Sequence, residues 1–263
     1  MAVGSDLTGS ISFDRAAAFY DETRGGEQRG KLCAQALEPL FASSGLTLEI
    51  GVGTGLVGAA LQAGGRCVVG VDISVQMLQR ARSRKLAVAC ADALALPFVS
   101  GSVDDAYSVW VLHLVADPAA VLREVMRVLR PGGRYVTELT STYDREHDDI
   151  AFILREMDRQ LRGGLRPRDD PKRIVPLAEE AGFRLVDVVE RSTDVYWESP
   201  VEAAAGIEGR GFSKLWDLDA EGWQTKVEPA LAALRALPEP DRQRERRAVH
   251  DMIVLEKVPL RNV

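Results

Sequence analysis

Cysteine is scarce in this sequence, which has only Cys33, Cys67 and Cys90 among 263 residues. Their separations match neither a disulfide framework nor a metal-binding cluster, and we interpret all three as small residues of the core. The acids and histidines also lack the spacing of metal ligands, so we expect no metal.

Basic residues are fewer than acidic residues, with 33 Lys and Arg against 39 Asp and Glu. The formal net charge is −6 and the isoelectric point is near 5.3. This balance argues against a nucleic-acid substrate, because a phosphate backbone calls for a basic face. The arginine-rich run at 242–247 is interrupted by acids such as Glu245, and we interpret it as a solvated helix face.

Long hydrophobic runs are missing as well. No segment reaches the roughly 18 uninterrupted apolar residues of a membrane span, and the start MAVGSDLTGS has no basic region followed by an apolar stretch. We therefore expect a cytoplasmic protein without membrane contact. With 46% hydrophobic residues the chain can bury one sizeable core, which predicts a single domain over 1–263.

A glycine-rich turn follows the first apolar strand. Residues 48–58 read LEIGVGTGLVG and place glycines at Gly51, Gly53 and Gly55. Glycine accepts positive φ and has no Cβ, so this turn lets the backbone approach a ligand closely. The spacing differs from the G-x-G-x-x-G of dinucleotide enzymes, since Leu56 takes the place of the third glycine. A tight turn without a ligand is the alternative interpretation.

Two acids end the next two apolar strands. The segment CVVGVDI at 67–73 leads to Asp72, and AVACA at 87–91 leads to Asp92. An open α/β sheet places such an acid against a ribose. One carboxylate would accept from ribose hydroxyls and the other from an adenine amine. The alternative for Asp72 is an ordinary acid at the end of a strand.

At these motifs the chain resembles the class I S-adenosylmethionine-dependent methyltransferases, in the small-molecule branch that includes ubiquinone and menaquinone biosynthesis enzymes. The matching stretches are LEIGVGTG at 48–55, GVDIS at 70–74, ADALALPF at 91–98, SVDDAYSVWVLHLVADPAAVLREVMRVLRPGG at 102–133, and the strand RYVTEL after it. The resemblance implies S-adenosylmethionine as cofactor, S-adenosylhomocysteine as product and a small-molecule methyl acceptor.

The resemblance also assigns the cofactor site. Gly51 and Gly53 would hold the methionine end, Asp72 the ribose and Asp92 the adenine. The full set of predicted cofactor-binding residues is Tyr20, Arg24, Glu49, Gly51, Val52, Gly53, Gly55, Asp72, Ile73, Met77, Asp92, Ala93 and Val109.

Strands and helices alternate along the chain, which predicts an α/β fold with helices on both faces of the sheet. The predicted strands lie at 48–50, 67–73, 87–91, 105–109, 134–140, 183–190 and 249–258, with helices at 118–130, 146–162 and 171–181. The family pattern implies a Rossmann-like, seven-stranded, mostly parallel sheet whose last strand is antiparallel. Within the single domain we assign a helical cap at 12–42, a cofactor-binding core at 43–140 and a helical lid insertion at 191–247.

The cap carries a Y-D-x-x-R segment that is common in this branch. There Tyr20 and Arg24 would reach the methionine carboxylate through a phenol and a guanidinium. An aromatic packing contact beside a surface arginine is the alternative.

The lid holds Tyr196, Trp197, Phe212, Trp216 and Trp223, although aromatic residues make up only 6% of the chain. Such rings are typical of an apolar cover over a binding pocket, and equally of a small core within the insertion. The predicted substrate-binding residues are Trp110, His113, Glu138, Trp197, Arg210, Phe212 and Trp216.

Methyl transfer depends mostly on placing the nucleophile, and a general base is needed only when the acceptor must lose a proton. His113, just past the fourth strand, is the predicted catalytic residue, with a structural or positioning role as its alternative. His147 and His250 are weaker candidates. Glu138, at the end of the fifth strand, would contact the substrate or cap a loop.

Other functions remain open on the sequence. A non-catalytic S-adenosylmethionine-binding module would share these motifs, and a nicotinamide oxidoreductase is disfavoured by the glycine spacing. A nucleic-acid methyltransferase is disfavoured by charge and by the lack of an Asn/Asp-Pro-Pro-aromatic sequence after the fourth strand. We expect a monomer or a homodimer.

Overall fold

The computed structural model describes residues 13–14, 17–18, 20–23, 26–139, 142–143, 148–164, 169–210, 212–216 and 218–258. The chain divides into two compact units. The core unit takes 1–139, 168–189 and 251–263, and the second unit takes 140–167 and 190–250. The predicted lid thus falls in the second unit.

The sheet confirms the predicted architecture. Its strands are β1 Leu46–Ile50, β2 Cys67–Asp72, β3 Ala87–Cys90, β4 Asp105–Ser108, β5 Arg134–Glu138, β6 Thr142–Tyr143, β7 Phe183–Glu198 and β8 Arg244–Lys257. The order is β3-β2-β1-β4-β5-β8, with β7 beside β8. Strands β1 to β5 pair in parallel and β8 runs antiparallel to β5. The two-residue β6, which pairs with β8, is an addition that the sequence did not predict.

Side chains of successive strand residues enter two different cores. Ala106 and Tyr135 belong to one apolar cluster, while their neighbours Tyr107 and Val136 belong to another. This alternation follows from the period of two in a strand, and both faces are covered because the parallel strands are connected by helices. The helices of the core unit are α1 Tyr20–Thr23, α2 Gly26–Leu37, α3 Leu56–Ala63, α4 Val75–Ser83, α5 Pro118–Val128 and α7 Pro171–Glu180.

Helix α5 forms where the sequence predicted it. The Asp117 side chain accepts a hydrogen bond from the Ala120 backbone N–H at 3.0 Å, and Pro118 occupies the first turn. Val121 and Val125, one turn apart, are fully buried. A capped start, a proline at the first position and an apolar stripe together specify this helix.

The second unit is mainly helical. It contains α6 Asp149–Leu161, α8 Pro200–Glu208, the short α9 Ala220–Gly222, a π-helical turn at Trp223–Val227 and α10 Glu228–Arg235. Ser199 and Glu202 form a reciprocal capping box at the start of α8. Ile150, Leu154 and Ile207 lie in its apolar core. The unit therefore has a hydrophobic core of its own.

Strand boundaries in this region differ from the prediction. β7 continues to Glu198 and β8 begins at Arg244, so the helical part of the insertion is shorter than 191–247. The interpretation of 242–247 as a solvated helix face is wrong, because Arg246 lies in β8 and is 1% exposed. Its Nε donates to Asp148 at 2.9 Å, and its Nη1 pairs with Glu198. Two carboxylates make burial of this arginine tolerable.

The cysteines divide between core and surface. Cys33 is buried, as predicted, whereas the core placement of Cys67 and Cys90 is wrong because both are exposed. Cys67 opens β2, and Cys90 closes β3, the strand at one edge of the sheet. In the part of the chain described, no group of three or more His, Cys, Asp or Glu is arranged to hold a metal. Within the same ranges, no helix is long and apolar enough to cross a bilayer.

Candidate active site

The glycine loop leaves β1 at the point where the strand order reverses. The backbone φ angles of Gly51, Gly53 and Gly55 are +70°, +52° and +81°. The N–H groups of Gly51 and Val52 both donate to Val71 of β2, at 2.8 and 2.9 Å. The loop is thereby held against the neighbouring strand in a conformation that favours glycine, at the crevice where open α/β sheets bind ligands.

The first two loop glycines face different surroundings. A Cβ on Gly51 would lie 2.4 Å from Cγ2 of Val111, whereas a Cβ on Gly53 would have no atom within 4 Å. Gly51 is therefore required by the close approach of the protein itself. Gly53 faces open space that a bound molecule can occupy.

Asp72 is tied to the same loop. Its Oδ2 accepts from the N–H of Gly53 at 2.9 Å, and its Oδ1 accepts from the N–H of Ser74 at 2.8 Å. Burial raises the pKa of Asp72, while these backbone donors oppose that rise. Ser74 also caps α4, since its hydroxyl accepts from the N–H of Met77 at 3.2 Å. The carboxylate is fixed in direction before any ligand binds.

The other predicted cofactor residues gather along the same edge. Cys90 of β3 pairs with Asp72, so Asp92 lies two residues past that level; it is exposed and accepts from the N–H of Leu94 at 2.9 Å. Ile73 is 40% exposed and Met77 is buried. The half-buried Ala93 follows Asp92, and the buried Val109 follows β4.

Glu49 is a buried acid one residue from the end of β1. Burial raises its pKa to about 8. The nearby Tyr107 opposes part of this rise. Neither Oε2 of Glu49 nor the Tyr107 hydroxyl makes a hydrogen bond of good geometry with a described residue. A Cβ on Gly58 would lie 2.5 Å from that Oε2, so α3 approaches the carboxyl closely. Glu49 is therefore held as a neutral carboxyl at pH 7.

The described parts of the predicted cap contact the cofactor region. Asp21 accepts from the hydroxyl of Thr54 at 2.6 Å and pairs with Arg84 at 2.7 Å. Asp14 accepts from the Ser74 hydroxyl at 2.5 Å. Tyr20 lies on α1, with its ring 6.4 Å from that of Phe13. Arg24 lies outside the described residues, and so does His147.

Sequence reasoning missed Asp14, Asp21, Thr54 and Arg84. Asp21 is the acid of the Y-D-x-x-R segment, which was the available signal for it. Its two partners lie 33 and 63 residues further along the chain. No local pattern connects residues that are so far apart.

Trp110 and Glu138, two predicted substrate residues, are brought together by the ends of β4 and β5. The indole Nε1 of Trp110 donates to Oε1 of Glu138 at 2.5 Å, and the Cys33 thiol lies 3.8 Å from Oε2. Glu138 is 1% exposed, and the Arg29 guanidinium stacks 3.7 Å from the Trp110 ring centroid. Trp110 has a φ of +60°, which is rare for a bulky residue. This geometry fixes the Glu138 carboxylate in place.

His113 follows β4 and faces an acid that the sequence did not indicate. Its Nδ1 lies 3.8 Å from Oδ2 of Asp169, and the two side chains are 23% and 1% exposed. Asp169 lies just before α7, 56 residues further along the chain.

The predicted substrate residues of the lid lie in the second unit. Arg210 donates through Nη1 to the carbonyl of Leu215 and, at 3.1 Å, to that of Trp216, and it stacks 4.8 Å from the Trp223 ring centroid. The Trp216 indole donates to the Arg210 carbonyl at 2.8 Å. These contacts favour the alternative of a core within the insertion. Trp197 and Phe212 are 64% and 37% exposed, and their substrate roles stay predictions.

The fold is shared with solved structures that include a methyltransferase and a cyclase. A S-adenosylmethionine-dependent methyltransferase of Thermotoga maritima, a possible histamine N-methyltransferase, has a TM-score of 0.57 at 20% identity and covers 95% of this chain and 99% of its own. The [4+2]-cyclase SpnF has a TM-score of 0.63 at 17% identity, with 98% of both chains covered. At such identities the likeness shows the fold alone.

Sequence comparison identifies the domain. The family described as "Methyltransferase domain" matches residues 48–137. A malonyl-[acyl-carrier protein] O-methyltransferase of Herminiimonas arsenicoxydans is 31% identical over 179 residues, 67% of this chain and 66% of that protein. A demethylmenaquinone methyltransferase of Corynebacterium kroppenstedtii is 40% identical over 87 residues, 33% and 38% of the two chains.

Residues 48–137 therefore match a methyltransferase domain, and the chain has the fold of class I methyltransferases, as the motifs predicted. The chain spans less than two thirds of the length of each of four curated relatives, including these two. The share of the relative's length that is covered ranges from 26% to 66%.

Proposed function

We propose that this protein is an S-adenosylmethionine-dependent methyltransferase that acts on a small, partly hydrophobic molecule. The observation that carries the proposal is the fixed carboxylate of Asp72. It accepts from two backbone N–H groups, those of Gly53 and Ser74, at the edge of the sheet where the glycine loop turns. A carboxylate held in this way is ready to accept from a pair of ribose hydroxyls.

The residues at this edge fit the cofactor. Gly53 has open space where a side chain would project, which allows the methionine end to approach the backbone. The exposed Asp92 has a carboxylate available for the adenine amine. When bound, the cofactor supplies a methyl group on a sulfonium, an electrophile whose departing electron pair returns to sulfur and leaves S-adenosylhomocysteine.

Neutral Glu49 contributes to the electrostatics of this grip. An ionised Glu49 would repel Asp72, because the two carboxyl groups interact electrostatically. Burial raises the pKa of Glu49 to about 8, and the nearby Asp72 adds to this rise. A second buried charge beside Asp72 is thus avoided at pH 7.

The names of relatives support a small-molecule acceptor, because they include a demethylmenaquinone methyltransferase and a 24-methylenesterol C-methyltransferase. The net charge of −6 supports the exclusion of nucleic acid. A monomeric or homodimeric state and a cytoplasmic location stay predictions from the sequence.

The rival function is a module that binds the cofactor without transferring the methyl group. One solved structure with this fold is named a [4+2]-cyclase. The fold alone therefore does not establish methyl transfer, which keeps this alternative open. A nicotinamide oxidoreductase is the less favoured alternative, given the G-x-G-x-G spacing.

Calorimetric titration of the purified protein with S-adenosylhomocysteine tests the cofactor, with NADH and NADPH as controls. We expect micromolar binding of S-adenosylhomocysteine alone; binding of a nicotinamide nucleotide alone would overturn the assignment. Incubation with methyl-labelled S-adenosylmethionine and a panel of acceptors then separates the enzyme from the module. Label transfer supports the enzyme, whereas tight binding without transfer to any acceptor supports the module.

A further inference from the structure

We propose that Asp169 is a positioning residue for His113, and that this pair serves an acceptor whose nucleophile must lose a proton. The acceptor class is then a phenol or alcohol, or an acidic carbon, rather than a carboxylate that is already ionised. This inference rests on the proposed methyltransferase function and names its acceptor chemistry.

The geometry of the pair carries the first step. Nδ1 of His113 lies 3.8 Å from Oδ2 of Asp169. The carboxylate is 1% exposed and the imidazole side chain 23% exposed, so the acid lies behind a ring that still reaches solvent. The distance is long for a hydrogen bond, but such contacts commonly shorten once substrate binds or the imidazole becomes charged.

The position of Asp169 is set by the start of α7. Asp170 caps this helix, since its side chain accepts from the N–H of Lys172 at 2.9 Å. Ile174 and Ala178, further along α7, are fully buried in the main apolar cluster. Asp169 and Asp170 are therefore neighbours with different surroundings: one caps the helix and the other is buried facing His113.

His113 lies on the ligand-binding side of the sheet. It follows β4, and Ser108 at the end of that strand pairs with Ile50, the residue before the glycine loop. The imidazole and the predicted cofactor grip thus occupy the same edge. Glu138 and Trp110, at the ends of β5 and β4, belong to this edge as well.

An acid at Nδ1 determines which nitrogen does the chemistry. Its negative charge favours the tautomer with the proton on Nδ1, which leaves a lone pair on Nε2 at the opposite side of the ring. Nε2 then takes the proton of the acceptor O–H or C–H as the oxygen or carbon forms its bond to the methyl carbon. The sulfonium C–S bond breaks with its electron pair on sulfur. The carboxylate of Asp169 stabilises the imidazolium, which later releases the proton to water.

The first test reads the tautomer directly and needs no turnover. The chain has three histidines, so the imidazole ¹⁵N resonances of the whole protein can be resolved, and His113→Gln assigns those of His113. At a pH where the ring is neutral, we expect the Nδ1–H tautomer in the parent protein. An Nε2–H tautomer there would overturn the proposal. If His113→Gln folds poorly, His147→Gln and His250→Gln assign the His113 resonances by elimination, and the tautomer is still read in the parent protein.

Variants add a matched comparison. Asp169→Asn should move His113 toward the Nε2–H tautomer, whereas Asp170→Asn, which alters the helix cap, should leave the tautomer unchanged. Equal changes in both variants would mean that the local fold, and not the acid, sets the ring. Asp169→Glu should restore the Nδ1–H form at least in part.

Kinetics test the acceptor class. With a panel of phenols, carboxylic acids and amines, we expect turnover of phenols, and Asp169→Asn should lower their kcat by about 10- to 100-fold, with KM and the affinity for S-adenosylhomocysteine unchanged. Alcohols and carbon acids complete the panel. Turnover of carboxylic acids or amines alone would overturn the class, and so would a protein that binds S-adenosylhomocysteine and turns over no phenol, alcohol or carbon acid. If S-adenosylhomocysteine itself does not bind, the proposed function has failed, whatever the tautomer.

Discussion

The carboxylate of Asp72 and the backbone N–H of Gly53 are joined by a hydrogen bond of 2.9 Å. The acid predicted to bind the ribose therefore also holds the glycine loop. Its second oxygen accepts from the N–H of Ser74 at 2.8 Å, which ties the start of α4 to the same group. One side chain thus organises both backbone segments that surround the predicted nucleoside site.

Replacing Asp72 should weaken cofactor binding. We expect Asp72→Ala to lose about 1 to 3 kcal/mol of affinity for S-adenosylhomocysteine, because charged hydrogen bonds are removed. Titration calorimetry measures this, and Asp187→Ala, which removes an exposed acid on β7, is the control with unchanged affinity. A folded Asp72→Ala protein with the affinity of the parent would refute the ribose assignment.

The two loop glycines should respond differently to alanine. Gly51→Ala combines a φ of +70° with a Cβ only 2.4 Å from Cγ2 of Val111, and we expect it to lower the free energy of unfolding by about 2 to 4 kcal/mol. Gly53→Ala meets only the backbone cost of about 1 kcal/mol, since no atom lies within 4 Å of the new Cβ.

For the affinity for S-adenosylhomocysteine we expect the opposite order, with the larger loss in Gly53→Ala, provided that both variants fold. The methyl group of Gly53→Ala projects into the space assigned to the cofactor, so we expect at least a 10-fold loss of S-adenosylhomocysteine affinity, or about 1.4 kcal/mol. Urea denaturation and calorimetry on both variants test the pair. Unchanged affinity in Gly53→Ala would place the cofactor away from this loop position.

Glu49 should make stability depend on pH. Its pKa is about 8 in the folded protein and near 4.5 in the unfolded chain, so between these values the folded state holds the additional proton. The free energy of unfolding therefore falls as pH rises through this window, by up to about 1.4 kcal/mol per pH unit, and levels off above pH 8.

Glu49→Gln should remove this pH dependence. Its free energy of unfolding should therefore rise relative to that of the parent protein as pH rises from 5 to 8. Urea denaturation at pH 5, 6.5 and 8 gives the comparison. Glu38→Gln is a control of opposite sign: Arg66 lowers the pKa of Glu38, so its stabilising effect is present above the unfolded pKa and is lost only in acid. Parallel pH curves for Glu49→Gln and the parent would show that Glu49 ionises normally.

Arg210 should support the fold of the second unit. Arg210→Ala frees the carbonyls of Leu215 and Trp216 and removes the stacking on Trp223, and we expect a loss of about 1 to 3 kcal/mol in the free energy of unfolding. Arg242→Ala removes only an exposed pair with Glu239 and should change it by less than about 0.5 kcal/mol.

Tryptophan fluorescence during urea denaturation follows this change, because Trp216 and Trp223 lie at the site. A stable Arg210→Ala protein that binds its acceptor more weakly would instead support the predicted role of Arg210 as a substrate anchor.

The sequence predicted those parts of the fold that depend on local patterns of residues. The apolar runs that became β1 to β5 are short and bounded by turn residues, and the α5 stripe recurs at helical spacing. Gly51 and Asp72 were found because the turn and the acid each follow an apolar strand directly. Strand order then brings them together without further information.

The parts that were missed depend on pairing across the chain. Asp169 lies in a charged link that resembles any exposed loop, and only its approach to His113 distinguishes it. Arg246 has the composition of a surface residue, and it is buried because Asp148 and Glu198 come to it from elsewhere in the second unit. Cys90 was assigned to the core on its apolar neighbours, but exposure depends on the edge position of β3.

The long-range contacts of Asp14 and Asp21 determine when this part of the chain can dock during protein synthesis. Asp14 meets Ser74 and Asp21 meets Arg84 across 60 and 63 residues of sequence. At about 5 to 20 residues per second, a ribosome delivers these partners roughly 3 to 13 seconds after the two acids. These two acids can therefore dock only after α4 and Arg84 have been made, and until then they stay hydrated on the nascent chain.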